Sequence, residues 1–136
     1  MGTFILPETE PNAIAFCFHY TGIAPIRALL QDFFRRGLSC PIHLFSSMPA
    51  TEPDLYSDEF ERMGIDVIRF SSNPMKGLWM DESGAQAALK RLGTFLDEHP
   101  GAMVYGAGVG PFVRPLRAFA KERGLERKQI RIQRYC

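Results

Sequence analysis

Every residue of the segment AIAFCF, from Ala13 to Phe18, is apolar. A strand with one face in water would alternate apolar and polar side chains, whereas a strand buried on both faces reads as a continuous apolar run. Strands of the second kind are typical of parallel sheets that helices cover on both sides. The segment therefore predicts a buried strand of such a sheet, and the rest of the chain must supply the helices.

An amphipathic helix follows this strand after a short turn that contains glycine. Pro25 suits the first helical position, and Gly37 suits the position just past the last one. The apolar residues between them recur at the spacing of one helix face: Ile26, Leu29, Leu30, Phe33 and Phe34. The sequence thus begins with a strand that feeds a helix through a tight turn.

The rest of the chain repeats this alternation. Further strands are predicted at PIHLFSS, Ile65–Phe70, AMVYGAG and IRIQRY, and further helices at Leu55–Met63, at residues 85–96 and at residues 112–120. Regular alternation indicates a five-stranded, parallel, doubly wound α/β sheet with helices on both faces. We expect a Rossmann-like fold with strand order 3-2-1-4-5, in which residues 1–136 form a single nucleotide-binding-like domain.

The composition is that of one globular domain and argues against several classes of function. The chain has 136 residues, 46% of them hydrophobic and 23% charged, which is enough to bury a core. Its net charge of +1 comes from scattered basic residues, so we expect no nucleic-acid partner. The N-terminus lacks the pattern of a signal peptide, and no apolar stretch reaches the ~18 residues of a membrane span. We therefore expect a cytoplasmic protein without a membrane partner.

Metal and catalytic chemistry have little support in the sequence. The three cysteines, Cys17, Cys40 and Cys136, lack the CxxC spacing of a zinc site, and their odd number argues against a disulfide framework. His43 and His99 are far apart and have no supporting ligand residues. We identify no metal site and no catalytic residue.

Two glycine-containing turns are expected to meet at one crevice. In a doubly wound sheet, ligands bind at the carboxyl ends of the strands where the strand order reverses, here between the first and fourth strands. The first strand ends in HYTGIAP and the fourth in GAGVGP, and each turn opens a helix whose N–H groups suit a phosphate. This pattern predicts a nucleotide. The alternative is that Gly108 and Gly110 only form a tight turn, because Pro111 stands where GxGxxG has its last glycine.

Several segments resemble the nucleotide-binding half of the ferredoxin–NADP reductase superfamily, which includes flavin-dependent NAD(P)H reductases. TGIAPIRALLQDFFRRG is similar to its first turn and helix, and IHLFSS with DLYSDEFERM is similar to its second strand and next helix. FSSNPMKGLWMDESG resembles its third strand and loop, and residues 103–135 resemble its last strand–helix–strand unit. GTFILPE is similar to the end of the flavin-binding barrel, which makes residues 1–12 a candidate remnant of that barrel.

The resemblance implies that this domain binds NAD and that FAD is held only through a flavoprotein or electron-transfer partner. Thr21 would lie near the contact between flavin and nicotinamide, Gly22 to Pro25 would form the pyrophosphate turn, and Ala107 to Pro111 would border the nicotinamide. The cofactor-binding residues are then Thr21, Gly22, Ile23, Ala24, Pro25, Ser46, Ala107, Gly108, Pro111 and Phe112. Hydride would pass from nicotinamide to flavin, and the protein would supply orientation.

Four departures from the family pattern bear on nucleotide binding. His19-Tyr20 replaces Gly-Gly before the first turn, and Ala107 replaces a cysteine. The segment that ends at Met48 lacks an arginine that often holds the adenosine end, and Asn73 replaces one that often binds the 2′-phosphate. Each missing guanidinium removes a charge-assisted hydrogen bond worth about 1.5–3 kcal/mol, so NADP is expected to bind less well than NAD.

His19 and Tyr20 each have two interpretations. His19 could contact the cofactor, or it could fill space at the strand end. Tyr20 could stack on a nicotinamide or adenine ring, or it could plug the pocket. No residue is predicted beside His19 to orient its ring for acid–base chemistry, which favours the space-filling interpretation.

The sequence leaves three interpretations of function open. In the first, the chain is the NAD(P)H-binding module of a flavin-dependent oxidoreductase, which relays electrons with a separate flavoprotein and is inactive alone. In the second, it is a degenerate domain without nucleotide binding that acts as a subunit or scaffold. In the third, it is a piece of a longer reductase. The family pattern favours the first interpretation, and the four departures favour the second.

Overall fold

The computed structural model describes residues 4–49, 56–72 and 85–135. Strands and helices alternate along the chain: β1 Ile14–His19, α1 Ile23–Arg35, β2 Ile42–Pro49, α2 Ser57–Arg62, β3 Val67–Ser72, α3 Ala85–Glu98, β4 Met103–Val109, α4 Gly110–Glu122 and β5 Ile130–Tyr135. Short 3-10 turns precede α1, at Tyr20–Gly22, and β5, at Arg127–Gln129.

The five strands form one sheet in the order β3-β2-β1-β4-β5. Every neighbouring pair is parallel, and Phe16 of β1 lies between Leu44 of β2 and Tyr105 of β4. The predicted fold class and strand order are therefore confirmed. All residues of β1 up to Phe18 are at most 1% exposed, which explains why this strand contains no polar residue before its end.

The two faces of the sheet carry separate buried clusters. The first cluster packs α1 and α2 against Ile14, Phe16 and Phe18 of β1. The second packs α3 and α4 against the alternate residues of the same strand, Ala15 and Cys17. These alternate residues are small, and the large side chains on that face come from the neighbouring strands and from the helices, among them Phe45, Phe70 and Phe95.

Glycine within β4 allows α4 to approach the sheet closely. A Cβ atom at Gly106 would lie 2.5 Å from Cδ2 of Leu116 and 3.0 Å from Cδ1 of Ile132. Leu116 is fully buried in this position. Gly106 therefore serves packing inside a strand and does not form part of the turn that follows.

Several element boundaries differ from the sequence prediction by one or two residues, and two of these differences have a local physical cause. Helix α1 begins at Ile23, so Pro25 is its third residue, where a missing N–H is still tolerated because no intrahelical partner exists for it. Strand β3 begins at Val67, two residues later than predicted, because Ile65 instead donates its N–H to the carbonyl of Phe60 at 3.1 Å after α2. Residue Asn73, which the sequence analysis singled out, lies outside the described residues.

The segment before β1 packs on the same core as α1. Tyr105 donates its hydroxyl to the carbonyl of Ile5 at 2.6 Å, and the ring of Phe4 meets the Tyr105 ring edge-on with centroids 5.5 Å apart. Leu6 is 5% exposed in the same cluster. That residues 1–12 are the remnant of a flavin-binding barrel stays a prediction.

Candidate nucleotide site

The turn after β1 keeps a backbone conformation that normally requires glycine. Tyr20 has φ = +49°, in the left-handed region, and it opens the 3-10 turn that leads into α1. A left-handed residue with a Cβ atom costs roughly 1–2 kcal/mol relative to glycine. Tyr20 therefore holds this turn in a conformation that glycine would adopt at lower cost.

Gly22 brings this turn into direct contact with the end of β4. A Cβ atom at Gly22 would lie 2.3 Å from the carbonyl oxygen of Ala107, which no small adjustment could relieve. Gly22 itself has φ −61° and ψ −10°, so the requirement for glycine is one of space and not of backbone conformation. The two glycine-containing turns that the sequence singled out therefore meet at the carboxyl edge of the sheet.

Gly108 makes room for His19 on the other face. Gly108 has φ = +155°, and a Cβ atom there would lie 3.1 Å from both Cβ of His19 and Cδ2 of Phe112. The His19 ring lies against the Phe112 ring, with centroids 5.8 Å apart and a 33° tilt. The imidazole thus occupies space between the ends of β1 and β4.

Ser47 is the polar partner of His19, and the sequence analysis did not identify it. Nδ1 of His19 and Oγ of Ser47 lie 3.2 Å apart and share a hydrogen bond. The two residues are opposite each other in the β1–β2 register, whereas the predicted Ser46 lies opposite Phe18. Because side chains alternate between faces along a strand, Ser46 points away from His19. The alternation of side chains along a strand, combined with the register of two parallel strands, could have identified Ser47 as the partner of His19.

The environment of His19 favours its neutral form. Burial lowers the pKa of its imidazole, and a backbone hydrogen bond with Ser47 only partly opposes that effect. Within the described part of the chain, Ser47 is its one hydrogen-bond partner, so no carboxylate orients the ring. The side chain can donate or accept a hydrogen bond, but it lacks the second group that general base catalysis needs.

Two helix N-termini open at this edge. Helices α1 and α4 have 13 residues each, and among the described residues no side chain caps either N-terminus. Neither helix has an acidic residue in its first turn, and Pro111 stands in the first turn of α4. The unpaired N–H groups and the positive ends of both helix dipoles suit a phosphate or another anion.

The predicted cofactor-binding residues divide into an accessible and a buried group. Ala24 and Pro111 are exposed and Pro25 is half-buried, so their atoms can meet a ligand directly. Buried residues of the prediction are Gly22, Ile23, Ser46, Ala107, Gly108 and Phe112. The buried group shapes the crevice from below, and Ala107 in particular directs its methyl group into the apolar cluster of α1. The side chains of Thr21 and Met48 are outside the described atoms.

An apolar groove of about 270 Å³ lies beside the first turn of α1. It is bordered by Phe4, Ile5, Pro25 and Leu29. Ile5 is 62% exposed, which is unusual for a large aliphatic side chain next to other apolar groups. The groove therefore offers a hydrophobic contact surface adjacent to the start of α1.

The described ranges contain neither a metal-binding cluster nor a membrane-spanning helix. Residues 4–49, 56–72 and 85–135 contain no cluster of three His, Cys, Asp or Glu side chains that could bind a metal ion. No helix within these same ranges has both the length and the apolar character needed to cross a bilayer. Cys17 is buried and unbonded, and burial raises the pKa of its thiol.

One sequence relative has been found among characterised proteins. The chain is 27% identical to ferredoxin–NADP reductase B of Sorangium cellulosum over 143 aligned positions. The match covers 98% of this chain and 59% of the relative, so the chain spans about three-fifths of the reductase. No model of a known protein family matches the chain.

Solved structures share the fold at low sequence identity. The ferredoxin–NADP⁺ reductase of Plasmodium falciparum superimposes with a TM-score of 0.73 at 16% identity, over 91% of this chain and 52% of the reductase. The ferredoxin reductase of carbazole 1,9a-dioxygenase gives a TM-score of 0.73 at 18% identity, over 97% of this chain and 40% of the other. These matches and the sequence relative confirm the resemblance of this chain to ferredoxin–NADP reductases, specifically to part of such proteins.

Proposed function

We propose that this chain is the nicotinamide-nucleotide-binding module of an electron-transfer oxidoreductase. The observation that carries the proposal is the meeting of two glycine turns at the carboxyl edge of the sheet, where Gly22 lies against Ala107 and no described side chain caps the N-terminus of α1 or of α4. Such an edge can hold a pyrophosphate through backbone N–H groups without any charged side chain.

The names of similar proteins support the same class of function. One relative is a ferredoxin–NADP reductase, and a phthalate dioxygenase reductase with the same fold is described as passing electrons from pyridine nucleotides to a [2Fe-2S] centre. That second protein matches with a TM-score of 0.66 and 13% identity. Hydride transfer belongs to the bound nucleotide, and the residues of this chain would bind and orient it.

In the proposed site, Thr21, Gly22, Ile23, Ala24 and Pro25 surround the pyrophosphate. Backbone N–H groups of the turn and of α1 would make the hydrogen bonds, since no basic residue stands in this stretch. The turn from Ala107 through Gly108 to Pro111, with Phe112 beneath it, would border the nicotinamide.

We further propose that NAD is preferred over NADP. The end of β2 presents Ser46 and Ser47, both buried, in a region where a 2′-phosphate would require a guanidinium or ammonium group. These buried hydroxyls carry no charge, so they cannot balance the two negative charges of a 2′-phosphate. Discrimination of about tenfold in Kd corresponds to the loss of one charge-assisted hydrogen bond.

The flavin would be held outside this domain and would approach along the apolar groove at Ile5 and Pro25. The groove adjoins the pyrophosphate turn, so a flavin-bearing surface seated there would lie next to the bound nucleotide. Burial of Ile5 would add to the affinity of that partner. The proposed electron path therefore runs from nucleotide to flavin across this edge.

Nucleotide titration followed by thermal unfolding tests the proposal. A ligand present at a hundred times its Kd adds about 2.7 kcal/mol to the unfolding free energy, so NADH should raise the Tm measurably. NADPH should require about tenfold more ligand for the same shift. Absence of any shift with NADH at about millimolar concentration, which bounds the binding free energy near −4 kcal/mol, would contradict nucleotide binding.

A second function, a degenerate subunit without nucleotide binding, is favoured by the side chains in the turn. His19 occupies space beside Gly108, and Tyr20 adds a side chain where the family has none. The double substitution His19→Gly and Tyr20→Gly distinguishes the two functions. If the side chains block the site, the double variant should bind NADH and the parent should not. If the site is functional as it stands, the parent binds NADH with comparable affinity.

A further inference from the structure

The most basic surface of the described residues lies at the opposite end of the sheet from the nucleotide site. Five cationic residues line a groove of about 610 Å³ between α4 and the start of β5: Arg117, Lys121, Arg127, Lys128 and Arg131. We call this surface the basic groove. It contains five of the sixteen Lys and Arg residues of a chain whose net charge is only +1. The charge is therefore concentrated locally.

Three of these cations have no carboxylate partner among the described residues, and a fourth has a weak one. Lys128 meets Glu126 at 3.9 Å, but both side chains are more than two-thirds exposed, so the pair is weak. Arg117, Lys121 and Arg127 are exposed and take part in no ion pair with any residue that the structure describes. Holding like charges together in one concave surface is unfavourable unless an anionic group enters it.

The floor of the groove is apolar and belongs to an edge strand. Ile130 and Ile132 line it, and Ile130 is 7% exposed. Within the described sheet, β5 pairs with β4 and with no other strand. An edge strand presents main-chain N–H and C=O groups to which an extended segment of another protein can add.

We infer that the basic groove docks an acidic, extended segment of a partner protein, with apolar side chains over Ile130 and Ile132 and carboxylates facing the surrounding cations. Charge complementarity supports this occupant. A single-stranded nucleic acid would need aromatic residues for base stacking, and the groove lining contains none. A lipid surface would need exposed apolar side chains that project outward, whereas these isoleucines lie at the bottom of a concavity.

A peptide-binding assay tests this inference independently of the nucleotide site. The probe is a fluorescein-labelled peptide of alternating glutamate and valine, and its neutral counterpart has glutamine in place of every glutamate. Binding is followed by fluorescence anisotropy on the full chain. We expect the acidic peptide to bind at least about tenfold more tightly than the neutral one, and its affinity to fall as salt rises from about 0.05 to about 0.5 M.

Charge reversal locates the binding surface. Arg117→Glu with Lys121→Glu should weaken peptide binding by about tenfold or more, whereas Lys90→Glu with Arg62→Glu, two exposed cations outside the groove, should change it less than about twofold. If the reversed variant does not fold, the neutral pair Arg117→Gln and Lys121→Gln replaces it, with an expected loss of about threefold. Equal loss in the control variant, equal affinity for the neutral peptide, or tighter binding to a single-stranded RNA or to anionic vesicles would overturn the inference.

Discussion

Individual residues at the end of β1 show how two bulky side chains fit beside a tight turn. Tyr20 adopts φ = +49° and His19 lies over Gly108, so one side chain is accommodated by backbone strain and the other by the space that a glycine leaves. The imidazole keeps one polar partner, Ser47. Whether a nucleotide still enters depends on these two side chains, which the turn itself does not require.

Protonation of two half-buried histidines should make stability depend on pH. Burial lowers the pKa of both His19 and His43 below 6.5 in the folded chain. The unfolded chain therefore binds protons more readily, so stability is complete above pH 6.5 and is lost as pH falls below that value. Urea unfolding at about pH 7.5 and about pH 5.5 should show this loss. The variant His19→Gln with His43→Gln should lose less, and an identical loss would contradict the assignment.

Gly22→Ala should destabilise the fold, because the new methyl group would lie 2.3 Å from the Ala107 carbonyl oxygen. We expect a loss of about 1–3 kcal/mol in the free energy of unfolding. Any binding of a nucleotide at this turn should also be lost. Gly93→Ala is the matched control, since its Cβ would meet Nη2 of the Arg123 side chain at 2.7 Å, which can move. Chemical denaturation of both variants measures the difference. If Gly93→Ala loses as much unfolding free energy as Gly22→Ala, the contact with the Ala107 backbone is not the cause of the destabilisation.

Among the elements, the segment before β1 is bonded to the sheet through the phenol of Tyr105, and Arg36 separately bonds the carbonyls of Pro7 and Glu8. Tyr105 sits in the middle of β4, and its buried hydroxyl reaches the Ile5 carbonyl. Burial raises the pKa of this phenol to about 12, so it remains a hydrogen-bond donor over the whole physiological range. The hydrophobic groove beside Pro25 depends on where this segment lies.

Tyr105→Phe should release this segment while leaving the sheet intact. Loss of one hydrogen bond should cost about 0.5–1.5 kcal/mol of unfolding free energy. Cleavage by a protease near Ile5 should become faster, and docking of a flavoprotein at the groove should weaken. Tyr56→Phe, which alters an exposed tyrosine, serves as the control and should change neither property. Unaltered proteolysis in Tyr105→Phe would mean that the packing of Phe4 and Leu6 and the hydrogen bonds from Arg36 to Pro7 and Glu8 hold the segment without the phenol.

The whole molecule consists of two buried clusters that the sheet separates. Leu30 belongs to the cluster under α1, and Leu116 belongs to the cluster under α4. Both side chains are 0% exposed. One end of this layered structure carries the N-termini of α1 and α4, and the other end carries the basic groove. Two partners could therefore bind without competing for the same surface.

Core truncations on opposite faces should be additive. Leu30→Ala and Leu116→Ala should each cost about 2–5 kcal/mol of unfolding free energy. Residues without shared contacts add to within about 0.5 kcal/mol, so the double variant should lose the sum of the two effects. Urea unfolding of the single and double variants, in a background stable enough to remain folded, measures this. A coupling above about 1 kcal/mol would indicate that the sheet transmits repacking between the clusters.

The architecture could be predicted from the sequence because it depends on short-range patterns. The apolar run of β1 and the helical stripe after Pro25 each reflect burial at a repeating interval, and alternation of such segments leaves few topologies for a parallel sheet. The turns at Gly22 and Gly108 were also located correctly at the carboxyl edge. The cofactor roles assigned to these turns stay predictions.

Other features depended on contacts between residues far apart in the chain. Gly106 was interpreted as part of a turn, but its space is filled by Leu116. Ser47 pairs with His19 only through the β1–β2 register, and the basic groove joins α4 to β5. Periodicity along a sequence reports which side of an element is buried, because burial repeats with helix or strand geometry. It does not report which distant atoms come within a few ångströms, because that distance is decided only when the layers pack.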